Sequence, residues 1–236
     1  MRDVPAAVLA GGLATRLGSA VAEMPKALVE VAGRPFIEHQ LELLRKSGVQ
    51  RVVLCLGHRG EQIEAHLGDG RALGLELAYS YDGPRLLGTG GALRQAAPLL
   101  GHTFWVLYGD SYMDIDYGAV LADYLSRPTL GIMTVLRNDN RWDRSNVAFR
   151  DGELVRYDKK APTPDMTHID YGVSLLRRVA LFRVPADQPY DLADLYRDLV
   201  ADGQMRGHEV SRRFYEIGTP ASLEETRRFL AGRAGE

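Results

Sequence analysis

Four short apolar runs, over residues 6–10, 49–56, 75–81 and 103–108, alternate with segments of helical period, and this rhythm limits the fold more than any other feature of the chain. A strand buried on both faces needs cover on both, and the helix leading to the next strand supplies it. Strict alternation therefore predicts an α/β fold with a mostly parallel sheet. Residues 35–46 carry Phe36, Ile37, Leu41, Leu43 and Leu44 at helical spacing and stop before Gly48. Residues 61–67 and 91–100 read as further helices, and 117–125 as another behind Asp116, a residue suited to N-capping. From residue 129 the rhythm changes. Residues 130–136, 146–149, 154–157 and 169–176 read as strands, the middle two joined by the turn signal Asp151-Gly152, so this half is expected to be more antiparallel. A helix over 191–201, a short strand over 214–217 and a closing helix over 221–230 complete the pattern.

With 236 residues and no repeat or linker, one domain is expected over 1–236, its two parts meeting near residue 128. The formal charge of −2 argues against a broad nucleic-acid face, so an anionic ligand must be held by local charge. Cys55 is the only cysteine and sits among Val52, Val53, Leu54 and Leu56, which reads as a buried strand position and excludes an intrachain disulfide. The first residues run directly into a strand too short for a signal sequence or a membrane span, so a cytoplasmic protein without membrane contact is expected.

Gly11 and Gly12 follow the first strand. A glycine pair there lets backbone N–H groups surround a phosphate, although a plain tight turn explains the pair equally well. The segment has neither G-x-x-x-x-G-K-[ST] nor G-x-G-x-x-G spacing, and the second strand ends at Leu56-Gly57-His58 without the acidic residue a dinucleotide site uses on ribose. Arg16 and Lys26 follow closely, and two fixed cations near a glycine turn suit a triphosphate.

The run from Leu9 and Ala10 through Gly11, Gly12, Leu13, Ala14, Thr15 and Arg16 to Leu17, followed by Pro25-Lys26-Ala27-Leu28, resembles the L-A-G-G-x-G-T-R-L and P-K-x-L segments of the sugar-1-phosphate nucleotidyltransferase family, with Ala14 in a position that is commonly glycine. The resemblance continues through Gly33-Arg34-Pro35, Leu87-Gly88-Thr89-Gly90-Gly91-Ala92, Gly109-Asp110-Ser111 and Glu216-Ile217-Gly218-Thr219-Pro220, and so spans nearly the whole chain. It implies a Rossmann-like sheet with an inserted, more antiparallel sugar-binding part, 1–128 being mainly nucleotide-binding and 129–236 mainly sugar-binding. It also implies Mg2+-dependent transfer of a nucleoside monophosphate from an NTP to a sugar 1-phosphate. Segments 87–93, 108–116 and 214–220 look most like bacterial heptose- or hexose-1-phosphate transferases, which makes GTP with a manno-configured heptose 1-phosphate the first choice; UTP with a hexose or amino-sugar 1-phosphate and CTP with an alcohol phosphate are the alternatives. A homo-oligomer is compatible with the family.

Asp110 ends an apolar strand, where open α/β sheets place ligands, and magnesium typically takes one or two carboxylates beside phosphates and water. The resemblance makes Glu216 the second carboxylate, in a position more often aspartate. It assigns Arg16 and Lys26 to the triphosphate, and Leu9, Gly11, Gly12, Thr15, Gly88, Gly90 and Gly91 to the nucleotide. The three later glycines are expected just before a helix starting near Ala92. Lys159 is assigned to the sugar phosphate, with Lys160 a competitor; Asp158, Tyr171 and Gly172 are assigned to the sugar, with Asp170 an alternative. Asp114-Ile115-Asp116 has the D-x-D form of a glycosyltransferase metal motif, but Asp116 is more simply a cap. Phe104 and Trp105 read as core, and His58, His102 and His168 have no ligand spacing. A catalytically silent nucleotide-sugar sensor is the rival from another class.

Overall fold

The computed structural model describes residues 4–12, 15–17 and 24–233. In chain order its elements are β1 (Ala6–Leu9), β2 (Glu30–Val31), β3 (Arg34–Pro35), α1 (Phe36–Lys46), β4 (Arg51–Leu56), α2 (Gly60–Leu67), β5 (Glu76–Tyr81) and α3 (Gly88–Ala96). There follow β6 (Thr103–Tyr108), β7 (Ser111–Tyr112), α4 (Tyr117–Ser126), β8 (Gly131–Arg137), β9 (Val147–Arg150), β10 (Glu153–Tyr157), β11 (His168–Arg177), α5 (Leu192–Ala201), β12 (Met205–Val210), β13 (Tyr215–Glu216) and α6 (Pro220–Arg233).

β5, β4, β1 and β6 lie side by side and parallel, with Val8 opposite Leu54 on one side and Leu107 on the other. Antiparallel β11 continues the sheet beyond β6, β8 pairs with β11, and the β9–β10 hairpin adds to its edge. The hairpin turn is the expected one, with Asp151 and Gly152 both at positive φ. Period-2 burial sorts the strands onto two cores. Val8, Val52, Leu54, Trp105 and Leu107 face α1, α2 and α4, whereas Ala7, Val53, Cys55, Phe104 and Val106 face α3 and α5. Phe104 and Trp105 are fully buried.

Three features depart from the sequence reading. β12, a strand absent from the sequence reading, pairs in parallel with β8. Its sequence conceals a strand because Arg206 and His208 are polar; both reach Asp123, whose carboxylate pairs with the Arg206 guanidinium and hydrogen-bonds His208 Nδ1. The segment expected as a strand over 214–217 does not join the main sheet. It forms a small ladder with β7, Tyr215 opposite Tyr112 and Glu216 opposite Ser111, backed by α6. Finally, α3 starts at Gly88, so Gly88, Gly90 and Gly91 form its first turn.

Candidate active site

A cleft of about 290 Å³ opens at the carboxyl ends of the four parallel strands. Its lining takes Leu9, Ala10, Gly11 and Gly12 from the end of β1, Cys55 from β4, Asp82 from just beyond β5, and Tyr108, Gly109 and Asp110 from β6 and its exit; Gly88 and Thr89 close one wall and Lys26 the other. The chain leaves β1 toward β4 on one side and later returns to β6 on the other, so the cleft lies at the topological switch point where such sheets bind ligands.

Gly11 and Gly12 have different grounds. A Cβ on Gly11 would come within 3.0 Å of the Gly57 backbone nitrogen, so glycine here lets the β1 and β4 exits touch. Gly12 is exposed and lines the cleft, and among the described residues nothing lies within 4 Å of such a Cβ. Thr15 and Arg16 belong to a short 3₁₀ turn, Thr15–Leu17, with Arg16 exposed and outside the cleft lining; Leu13 and Ala14 lie outside the described residues.

The electrostatic centre of the cleft is the ion pair between Lys26 Nζ and Asp110 Oδ2, at 2.6 Å. The two side chains are 9% and 35% exposed, so the ammonium is nearly enclosed while water reaches the carboxylate. Asp110 is fixed through its backbone and its neighbours. Gly109 donates to Leu9 O, Ile217 donates to Asp110 O, and the buried Gln40 of α1 donates its amide to both Tyr108 O and Ser111 O. Gln40 therefore holds the turn that presents Asp110, a role that helical periodicity alone conceals. Through the β7–β13 ladder the backbone of Glu216 stands opposite Ser111, the residue after Asp110, and its side chain does not line the cleft.

Asp110 and Glu216 both carry carboxylates, the donor type a divalent cation takes. Their oxygens are hard donors, and the Lys26 ammonium already occupies Asp110 Oδ2 as a cation does, while among the described residues Oδ1 accepts only from the Ser111 hydroxyl, at 3.2 Å. Among the described residues no group of three or more His, Cys, Asp or Glu side chains converges, so a cation here would take further ligands from phosphates and water.

Asp82 was not among the residues singled out from the sequence. Like Asp110 it follows an apolar strand at the carboxyl edge of the sheet, which is the signal that could have found it. Burial raises its pKa, opposed by the Leu87 N–H that donates to Oδ2 at 3.0 Å.

A second cavity of about 410 Å³ adjoins the cleft, sharing Gly88, Thr89 and Tyr108, and is completed by Lys159, Pro189, Tyr190 and Asp191. Lys159 Nζ lies 6.0 Å from the Tyr108 ring centre. Lys160 points elsewhere, with Nζ on both oxygens of Asp194. Asp158 lines neither cavity; its Oδ1 accepts from the Lys160 and Ala161 N–H groups, which hold its pKa down, chiefly Ala161.

Tyr171 is buried in the core, edge-on to Phe214, and does not line either cavity. Gly172 adopts φ +96° in the irregular stretch of β11 beside Tyr108. Asp170 accepts from the Gly172 N–H and the Tyr157 hydroxyl, and burial raises its pKa. Asp114 is paired with Arg212 and Arg233 in a separate cavity, and Asp116 caps α4 through the Ala119 N–H.

Gly90 and Gly91, expected at the nucleotide, both donate their N–H groups to Tyr190 O, at 2.9 and 3.2 Å, and neither lines the cleft. Cβ atoms at 88, 90 and 91 would lie 2.8 Å from atoms of Gln188 and Tyr190, so these glycines admit the chain segment that precedes α5. Of the three, Gly88 alone also lines the cleft.

The sequence model of the nucleotidyl transferase family matches residues 5–147. The chain is 30% identical over 233 residues to N-acetylmuramate alpha-1-phosphate uridylyltransferase of Neisseria meningitidis serogroup B, covering 96% of this chain and 98% of that protein. It is 28% identical over 217 residues to UTP–glucose-1-phosphate uridylyltransferase of Synechocystis sp., covering 84% of this chain but only 55% of that protein, so it spans about half the length of that relative. In fold it is similar to HddC from Yersinia pseudotuberculosis, solved with GMP-PN, with a TM-score of 0.80, 23% identity and coverage of 96% and 99%. No helix among the described residues is long and apolar enough to cross a membrane.

Proposed function

The chain belongs to the nucleotidyl transferase family, and on that premise we propose that it transfers a nucleoside monophosphate from an NTP to a sugar 1-phosphate, releasing pyrophosphate, with GTP as donor and a heptose or hexose 1-phosphate as acceptor. The observation that carries the reading is the Lys26–Asp110 pair set at the end of β6, beside the exposed backbone of Gly12 at the switch point.

A phosphate oxygen of the acceptor attacks the α-phosphorus of the donor; the new P–O bond forms as the bond to the β-phosphate oxygen breaks, and pyrophosphate departs. The nucleophile is already anionic, so no general base is required. The protein's task is alignment and charge neutralisation. Lys26, and Arg16 from its exposed turn, serve the triphosphate and the leaving pyrophosphate. Asp110 and Glu216 would hold Mg2+, which when bound supplies positive charge for the phosphate oxygens. Lys159 is the cation for the acceptor phosphate, a choice supported by the commitment of Lys160 to Asp194.

The base preference rests on Asp82. A carboxylate accepts hydrogen bonds only, and guanine offers adjacent N1–H and N2–H₂ donors, whereas uracil offers one donor between two acceptors. UTP is the second reading, favoured by the uridylyltransferase matched over almost its whole length. The test is pyrophosphate release from four triphosphates crossed with several sugar 1-phosphates. Turnover with GTP and a manno-configured heptose or hexose 1-phosphate is expected. Nucleotide binding without turnover for any pair would identify a sensor, and undiminished turnover by Asp110→Asn at saturating Mg2+ would remove the metal assignment.

A further inference from the structure

We propose that Asp191 determines acceptor specificity, admitting neutral hexose 1-phosphates and rejecting the corresponding uronate 1-phosphates. This rests on the transferase reading above. Among the described residues, the cavity that adjoins the nucleotide cleft is lined by one cation, Lys159, and one carboxylate, Asp191. Once Lys159 is engaged by the acceptor's 1-phosphate, the lining holds no cation for a second anionic group. The neighbouring cations are committed: Lys160 binds both oxygens of Asp194, and Arg197 is paired with Asp194 and Asp198.

Asp191 is held rigidly. Its Oδ1 accepts from the Thr89 hydroxyl at 3.1 Å and from the Ala193 N–H at 3.0 Å, the second bond capping α5. The preceding segment is fastened to α3, with Gly90 and Gly91 donating to Tyr190 O, Tyr190 donating to Leu87 O and Leu192 donating to Thr89 Oγ1. Among the described residues Oδ2 accepts from no group, although Asp191 is exposed in the cavity. A fixed carboxylate oxygen with free lone pairs suits sugar hydroxyls, which donate to it. A substrate carboxylate has no donor to offer and is repelled. For unit charges several ångströms apart at a protein surface the discrimination is roughly tenfold or more.

The test compares matched acceptors that differ only at C6, glucose and mannose 1-phosphates against the corresponding 6-uronate 1-phosphates, with the best triphosphate as donor. The wild-type protein is expected to favour the neutral member by about tenfold or more in kcat/KM. Asp191→Asn, which keeps the helix cap and the acceptor for Thr89, is expected to reduce that ratio by about tenfold through the acceptor KM, leaving the donor KM unchanged. Equal use of hexose and uronate by the wild type overturns the proposal, as does an unchanged ratio in Asp191→Asn. Absence of turnover with every acceptor overturns the transferase reading itself and takes this inference with it.

Discussion

The unequal burial of the Lys26–Asp110 pair predicts that its two halves will respond oppositely to removal. The lysine side chain is 9% exposed and the aspartate 35%. In Asp110→Asn the ammonium stays nearly enclosed and loses its counter-charge. Breaking a fully buried pair from one side costs about 3–5 kcal/mol, and water access on the aspartate side reduces this to about 2 kcal/mol. For a chain of this size that lowers Tm by about 4–8 °C. In Lys26→Met the enclosed charge disappears, an apolar side chain of similar length fills its place, and the remaining carboxylate is hydrated and bonded to Ser111 Oγ. Its stability should lie within about 0.5 kcal/mol of wild type, a shift of about 2 °C or less. Both variants should nevertheless lose about 10²–10³-fold in turnover, since each removes a charge from the reacting phosphates. Thermal melts of both single variants and of the double variant at pH 7, read beside pyrophosphate release, check this. The double variant should melt near Lys26→Met. If Lys26→Met is the less stable single variant, or if Asp110→Asn melts with wild type, the argument from burial is wrong.

Three further outcomes follow from the same geometry. Burial raises the Asp82 pKa, so the folded state binds this proton more readily than the unfolded chain; the contribution of Asp82 to stability therefore falls as pH rises from the unfolded value through the folded one, and above that window the ionised group is a net cost. Asp82→Asn should accordingly melt slightly higher at pH 7, lose the preference for GTP by about tenfold and flatten the acidic limb of the donor KM profile, which kinetics from pH 4 to 8 would measure. Burial pushes the Cys55 thiol up to about 12, so in the native protein it should resist a thiol reagent over hours at pH 8 and react at once in guanidinium. Chelation with EDTA should abolish pyrophosphate release and leave the far-ultraviolet dichroism unchanged, because the two carboxylates are fixed by the protein's own backbone bonds, and added Mg2+ should restore turnover.

The parallel half of the fold was legible because its signal is local. Each strand carries side chains for two cores at period 2, as Val52 and Val53 do, and no other arrangement covers both faces. β12 escaped notice because Arg206 and His208 look solvated until Asp123, more than 80 residues earlier, is brought beside them. Asp110 could be singled out from its place at a strand end, but Glu216 came only through family resemblance, since the register of a two-residue ladder between segments 104 positions apart leaves no trace in periodicity. Asp82 was available by the same strand-end argument as Asp110. It lacked only the conspicuous glycine before it.

The glycines of α3 mark a sharper limit. Glycine carries no side chain by which to announce its partner, so the pattern Gly88-Thr89-Gly90-Gly91 fits equally well a backbone that approaches a ligand and one that approaches its own chain. The neighbouring threonine separates the two at this site. Its hydroxyl donates to Asp191 and accepts from Leu192, while Gly90 and Gly91 spend their amides on Tyr190 O, so the exposed N-terminus of α3 is closed by protein and joined to the start of α5. That junction ties a wall of the nucleotide cleft to the segment that lines the adjoining cavity. A methyl group at 91 would press on Gln188 O at 2.8 Å and displace that segment, with little change near Gly12 or Lys26. Gly91→Ala should therefore raise the acceptor KM several-fold and leave the donor KM near wild type. Steady-state kinetics with each substrate varied in turn measures both, and a rise confined to the donor KM would mean that Gly91 serves the nucleotide directly.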